Sequence, residues 1–210
     1  MPNSDLMTAI IEGDASSART EANLLIQAGT EPREILEAHL VPAMNEVGRL
    51  FDEGDYFVPE LLLSSRAMQE VMSALDPLLK AGGVEKIGRV IIGTVAGDMH
   101  DIGKNLVASM LEGGGFEVTD LGVDVAPEKF LDAVRGSEGG VILALSALLT
   151  TTMPQMKTII GRLQAEGLRE RVKIMVGGAP VSKGFATEIG ADGYSDSANA
   201  AVSLARGFVS

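Results

Sequence analysis

From Arg89 onward, short apolar runs alternate with amphipathic segments five times, and this alternation limits the possible fold more than any other feature of the chain. Strands are expected at 89–95, 116–121, 140–145, 172–176 and 192–194, and helices at 103–113, 127–136, 152–166, 181–189 and 198–208. Strands that are apolar and β-branched throughout suit a parallel sheet covered by helices on both faces. Five such units predict an α/β, flavodoxin-like (Rossmann-like) doubly wound sheet with strand order 2-1-3-4-5.

The first part of the chain follows a different pattern. Up to about residue 82 the apolar spacing is helical and β-branched runs are few. Two short helices are expected at Asp5–Glu12 and Ala15–Ala28, the second ending at Gly29. Thr30 is placed to cap a third, with Pro32 in the first turn, where a missing N–H costs nothing. That helix is expected to reach Asp52, bent by Pro42 and closed by Gly54. Pro59 opens a fourth, in which Leu61, Ser65, Met68, Met72, Leu75 and Leu79 fall at intervals of three and four and share one face. The result is a small N-terminal four-helix bundle. Lys80–Lys86, with Gly82-Gly83 at its centre, reads as a linker and a hinge, so the expected domains are residues 1–85 and 86–210.

The 210 residues are 46% hydrophobic, enough to build cores, and contain no apolar run of membrane-spanning length and no signal-like segment; a cytoplasmic protein with no membrane partner is expected. Cys is absent, which removes disulfides, thiolate zinc sites and iron–sulfur clusters. A net charge of −12 argues against nucleic acid and anionic lipid as partners.

The chemistry concentrates at Asp98-Met99-His100-Asp101-Ile102-Gly103, on the loop between the first strand and its helix. Open α/β sheets bind ligands at this strand end. Asp98 stands two residues before His100, close enough to accept a hydrogen bond from one ring nitrogen, which leaves the other free for a metal. The third strand ends in Ser146-Ala147-Leu148, followed by Thr150, Thr151 and Thr152, and the fourth ends in Gly177-Gly178-Ala179. Small residues here are expected to leave a slot in which a ligand tail approaches the backbone. Zinc would want three or four protein ligands, yet the only other histidine, His39, lies in the helical part and is read as structural. A macrocycle that already brings four nitrogens needs only one.

Asp98-x-His100-x-x-Gly103, then Ser146-x-Leu148, then Gly177-Gly178, resembles the cobalamin-binding motif of flavodoxin-like corrinoid domains. Met44 to Phe51, Gly54, and Phe57-Val58-Pro59-Glu60-Leu61 are similar to the helical cap of cobalamin-dependent methionine synthase and of small corrinoid methyl-carrier proteins. The resemblance implies that His100 is the lower ligand of cobalt, with Met99, Asp101, Ile102, Gly103, Ser146, Leu148, Gly177 and Gly178 around the corrinoid and its tail. It implies that Phe51, Phe57, Val58 and Leu61 shield the upper face, although isolated apolar residues of this kind also suit a bundle core. Asp98 and Thr152 would form a proton relay with His100; methionine synthase has serine at the Thr152 position.

The implied function is that of a carrier, not a complete enzyme. It accepts a methyl group on Co(I) from a substrate-specific methyltransferase of O-demethylase or methylamine type. A second methyltransferase, using folate or pterin, receives the methyl group, and a reductive activator protein restores Co(I). Two alternatives share parts of this architecture, a cobalamin- or light-sensing regulatory module and the small subunit of an adenosylcobalamin mutase. The first would carry a basic DNA-binding domain and a Trp over the cofactor, and the second would lack the helical cap. A receiver domain would need a phosphoacceptor Asp where Ser146 stands, and Gly97 to Gly103 does not form the dinucleotide fingerprint. Asp98 and Asp101 also admit a plain loop-capping role.

Overall fold

The computed structural model describes residues 5–81, 86–137 and 139–209. The expected linker glycines, Gly82 and Gly83, lie outside the described residues. The chain divides into two compact units, one of residues 1–86 with 112–115 and one of residues 87–111 with 116–210.

The helical unit contains α1 (Asp5–Ile11), α2 (Ala15–Gln27), α3 (Pro32–Ile35), a π-helical segment (Leu36–Leu40), α4 (Val41–Asp52) and α5 (Val58–Ala81). Asp14 caps α2 by accepting from the Ser16 and Ser17 amides. Thr30 does not cap the next helix as expected. Its amide donates to the Leu25 carbonyl at 3.0 Å, closing α2 around the left-handed Gly29, and Glu31 takes the cap position without a side-chain bond. The helix continues past Pro42 to Asp52, as expected. The chain widens just ahead of it, with the Val41 N–H bonding the Leu36 carbonyl five residues back. A π turn of this kind absorbs the carbonyl that proline cannot satisfy. On α5, Leu61, Ser65, Met68, Met72, Leu75 and Leu79 are all buried, as their spacing predicts. The Tyr56 and Ser64 hydroxyls both donate to the Ile11 carbonyl, at 3.0 and 2.9 Å, and so satisfy the end of α1.

The sheet unit is built from β1 (Arg89–Thr94), α6 (Ile102–Gly113), β2 (Glu117–Asp120), α7 (Pro127–Arg135), β3 (Val141–Ser146), α8 (Pro154–Ala165), β4 (Val172–Gly177), α9 (Lys183–Ile189), β5 (Gly193–Tyr194) and α10 (Ala198–Val209). All pairings are parallel and the order is β2-β1-β3-β4-β5, as the alternation predicts. The register aligns Thr94 with Ser146 and Ser146 with Gly177, so the carboxyl ends of β1, β3 and β4 finish level. One expectation fails: β2 is not covered on both faces, and Glu117, Thr119 and Asp120 are exposed. It is an edge strand, where charge discourages pairing with another chain.

Phe130 of α7 is completely buried against β1 because Gly93 has no side chain; a Cβ there would sit 2.9 Å from the ring. Gly93→Ala is therefore expected to destabilise the sheet unit by about 1–3 kcal/mol through overpacking. Urea unfolding of the two proteins measures it, and an unchanged midpoint would show that the ring has room to move.

Candidate functional site

The site is assembled where β1, β3 and β4 end. After Thr94 the chain continues through Val95, which bridges Val125, and turns at Gly97 with φ +82°. This places Asp98 fully inside, while the His100 side chain stays half exposed.

Asp98 accepts five hydrogen bonds. Its Oδ1 takes the His100 amide at 3.1 Å and the His100 Nδ1 at 2.7 Å. Its Oδ2 takes the Leu148 amide at 2.8 Å, the Leu149 amide at 3.2 Å and the Thr152 hydroxyl at 2.8 Å. Burial acts to raise the Asp98 carboxyl, but hydrogen bonds from the His100 ring, the Leu148 and His100 amides and Thr152 outweigh it and hold the group well below the usual carboxylate range. An ionised carboxylate can only accept, so Nδ1 carries the ring proton and Nε2 presents a lone pair. The Thr152 oxygen also lies 2.9 Å from the Leu149 carbonyl. Its single proton goes to the charged acceptor, and the carbonyl offers a second place for it if Asp98 becomes protonated.

Several exposed side chains of this loop and of the loop after β3 are apolar: Met99 at 68% and Ile102 at 63%, with Leu148 and Leu149 exposed to a similar degree as each other. Asp101 stands just before α6, its carbonyl accepting the Asn105 amide at 2.7 Å and its carboxylate the Asn105 side chain at 3.2 Å. A Cβ at Gly103 would meet nothing within 4 Å.

Gly177, the last residue of β4, and Gly178 after it both lie close to neighbouring backbone. A Cβ on Gly177 would lie 3.2 Å from the Ser195 carbonyl oxygen. Gly178 has φ +125°, and a Cβ there would fall 1.9 Å from the Ala147 carbonyl oxygen. At Gly178, then, the missing side chain makes room for the protein's own backbone. Ser146 is half-buried between the aligned Thr94 and Gly177.

In the helical unit Phe57 is 66% exposed and Val58 is also exposed, while Phe51 is half-buried. Glu60 accepts from the Phe57 amide at 2.9 Å, which fixes Phe57 at the start of α5. Leu61, expected to face a ligand, is completely buried, whereas the next two leucines, Leu62 and Leu63, are exposed.

Several residues at the sheet edge carry no signal in the sequence. Leu149 has the same exposure as Leu148, and adjacency to it was the available hint. Lys104 is buried and its ammonium is held by Asp120 at the end of β2 and by the Asn105 side chain at 2.5 Å. Thr94 and Asp124 both bond the backbone of the histidine loop. Among the described residues no three His, Cys, Asp or Glu side chains group as a metal site, so a metal held here through protein atoms would rest on His100.

The chain matches the family model of the B12 binding domain over residues 88–203, and a second model described in the same words over residues 3–76. It is 43% identical over 180 residues to dimethylamine corrinoid protein 3 of Methanosarcina acetivorans, spanning 86% of this chain and 84% of the relative. To trimethylamine corrinoid protein 2 of the same organism it is 42% identical over 196 residues, spanning 92% and 90%. The methanol:cobalamin methyltransferase complex MtaBC from Methanosarcina barkeri contains a chain of similar structure, with a TM-score of 0.83 at 31% identity, covering 98% of this chain and 78% of that one. With a half-exposed histidine at the end of β1 in a β2-β1-β3-β4-β5 sheet, and with these relatives, the chain belongs to the cobalamin-binding corrinoid proteins of methyltransferase systems.

Proposed function

We propose that this chain is a methyl-carrier corrinoid protein of a methylamine-type methyltransferase system, with His100 Nε2 as the lower ligand of cobalt. The observation that carries the reading is the Asp98–His100 pair, 2.7 Å apart, with the carboxylate buried and the ring half exposed. The donor set fits a corrinoid and fits a bare metal ion poorly, because a corrin would bring its own four nitrogens and need only one imidazole from the protein. When bound, the corrinoid supplies a cobalt centre whose reduced form is a nucleophile toward methyl groups.

The residues do the rest. Asp98 fixes the tautomer and makes the imidazole more electron-rich, which strengthens it as an axial ligand. Asp98 would hold the imidazole in place whether or not the corrinoid is bound, and the Thr152 hydroxyl has the Leu149 carbonyl as a second acceptor. Met99, Ile102, Leu148 and Leu149 offer the apolar surface for the underside of the macrocycle. Gly103 leaves open space beside it, and Ser146, Gly177 and Gly178 line the path of the tail. Phe51, Phe57 and Val58 are assigned to the shield over the methyl group, with Leu62 in place of the buried Leu61.

The donor is read as a methylated amine, because dimethylamine and trimethylamine corrinoid proteins are among the relatives. An O-demethylase role has no comparable support. The partners are a substrate-specific methyltransferase, a second methyltransferase using folate or pterin, and a reductive activator protein. The domains of the proposal are a helical cap at residues 1–85 and a corrinoid-binding domain at 86–210.

Loading the wild-type protein and His100→Ala with hydroxocobalamin tests the ligation. The wild type is expected to bind with the vitamin's benzimidazole displaced, and the variant to show a base-off spectrum with affinity lowered about 10- to 100-fold, the range seen when a metal-site partner is lost. Identical spectra from the two proteins would refute His100 as the ligand. Transfer from trimethylamine or dimethylamine, with the matching purified methyltransferase, tests the donor; no methylation of the reduced protein by either would refute the amine reading.

A further inference from the structure

We propose that Thr94 and Asp124 are positioning residues for His100, clasping the backbone of its loop from the two sides that Asp98 does not reach. The inference rests on His100 being the cobalt ligand.

Thr94 is the last residue of β1 and has no accessible surface. A buried strand position suits valine, which has the same shape; a hydroxyl there is costly unless it finds a partner. The Thr94 Oγ1 donates at 2.9 Å to the carbonyl of His100 itself. One end of the ligand residue is thus tied to the rigid sheet.

Asp124, on the loop after β2, has φ +50°, and it is the one non-glycine residue with positive φ among the described residues. Glycine would adopt that conformation without strain, whereas aspartate brings a side chain that the site uses. Its Oδ1 accepts from the Gly97 amide at 2.7 Å, and its own amide donates to the Asp98 carbonyl at 2.9 Å. Gly97 is itself left-handed. Two left-handed residues on neighbouring loops therefore lock each other, and the Gly97–Asp98 segment is held from the β2 side while the Asp98 carboxylate is held from the β3 side.

The consequence concerns a ligand that must both bind and release. If the loop were loose, each return of His100 to cobalt would require the backbone between Thr94 and Ile102 to be ordered again. With the loop clasped, the released imidazole stays within reach and the bound form is favoured. Loss of either clasp should lower the ratio of histidine-bound to histidine-free cobalt by about three- to tenfold, the factor that one net hydrogen bond represents.

Four variants separate this role from general packing: Thr94→Val, which keeps the shape, Thr94→Ser, which restores the donor, Asp124→Ala, and Asp124→Asn, which keeps an acceptor oxygen. Amide hydrogen exchange of residues 96–101 is read in the cofactor-free proteins. The ratio of ligated to unligated Co(II) is read in the cobalamin-loaded proteins from the nitrogen splitting of the paramagnetic resonance signal. Thr94→Val and Asp124→Ala are expected to exchange faster and to lose ligated signal, and Thr94→Ser and Asp124→Asn to return toward wild type. If the wild type shows a splitting that His100→Ala removes, yet Thr94→Val and Asp124→Ala leave the ratio unchanged, the clasp is overturned and the ligation stands. If the wild type shows no histidine nitrogen, the ligation reading falls and the clasp falls with it.

Discussion

Gly178→Ala is expected to be among the most damaging single-methyl additions to the sheet unit, lowering its stability by about 3–5 kcal/mol from backbone strain and overpacking together. The φ of +125° belongs to a region that side chains avoid, and the added Cβ would sit 1.9 Å from the Ala147 carbonyl oxygen, which is backbone and cannot swing away. The damage should spread into the site. Ala147 donates to the Gly177 carbonyl at 3.2 Å, and the next two amides, of Leu148 and Leu149, are those that hold Asp98. Gly103→Ala provides the internal control, since its Cβ meets nothing within 4 Å and alanine is the better helix former. Thermal unfolding of the cofactor-free proteins compares them, and a Gly178→Ala variant as stable as Gly103→Ala would mean that the two loops part easily.

The second large effect is expected from Asp98→Asn, which should cost about 2–4 kcal/mol because a buried donor is turned against other donors. Every partner of the Asp98 carboxylate donates: two groups of His100 on one oxygen, and two amides and a hydroxyl on the other. An asparagine has one accepting atom, so in either orientation its NH2 faces N–H or O–H groups. The pH dependence identifies the cause. The native carboxyl is held below its usual range, so its ionised form binds fewer protons than in the unfolded chain. Its contribution is complete above the unfolded Asp value of about 3.9 and is lost as the pH falls from there toward the lowered native value. The stability gap between wild type and Asp98→Asn should therefore be full at neutral pH and shrink on acidification below about pH 4. A gap that stays constant with pH would assign the loss to packing rather than to the charge. If His100 holds cobalt as proposed, the same variant should also weaken that bond in the loaded protein, because a neutral amide no longer enriches the imidazole.

These two residues divide what is legible in the sequence from what is not. Asp98 and His100 are two positions apart, and their bond is set by local chain geometry, so spacing alone predicts it. The role of Asp98 as the tie between two loops is not local: Leu148, Leu149 and Thr152 lie 50 or more residues further on. The Gly177-Gly178 pair reads as space for a ligand when only residue size is considered. In the fold, Gly178 is where the end of β4 crosses the backbone after β3. Thr30 and Pro42 show the same limit in the helical unit, since a cap or a breaker acts according to which carbonyl is left unpaired nearby.

The sequence by itself determined the architecture and the place of the candidate histidine. Alternating strand and helix periods, apolar β-branched strands and a histidine at the end of the first strand are repeating or short-range properties, and these follow from backbone geometry. Tertiary structure alone decided how the histidine is held. Thr94, Asp124 and Lys104 meet their partners, and Gly178 meets Ala147, only because the parallel register brings Thr94, Ser146 and Gly177 level and packs their loops together. Contacts between loops at a sheet edge depend on angles and offsets accumulated over the whole sheet, and no local period in the chain records them.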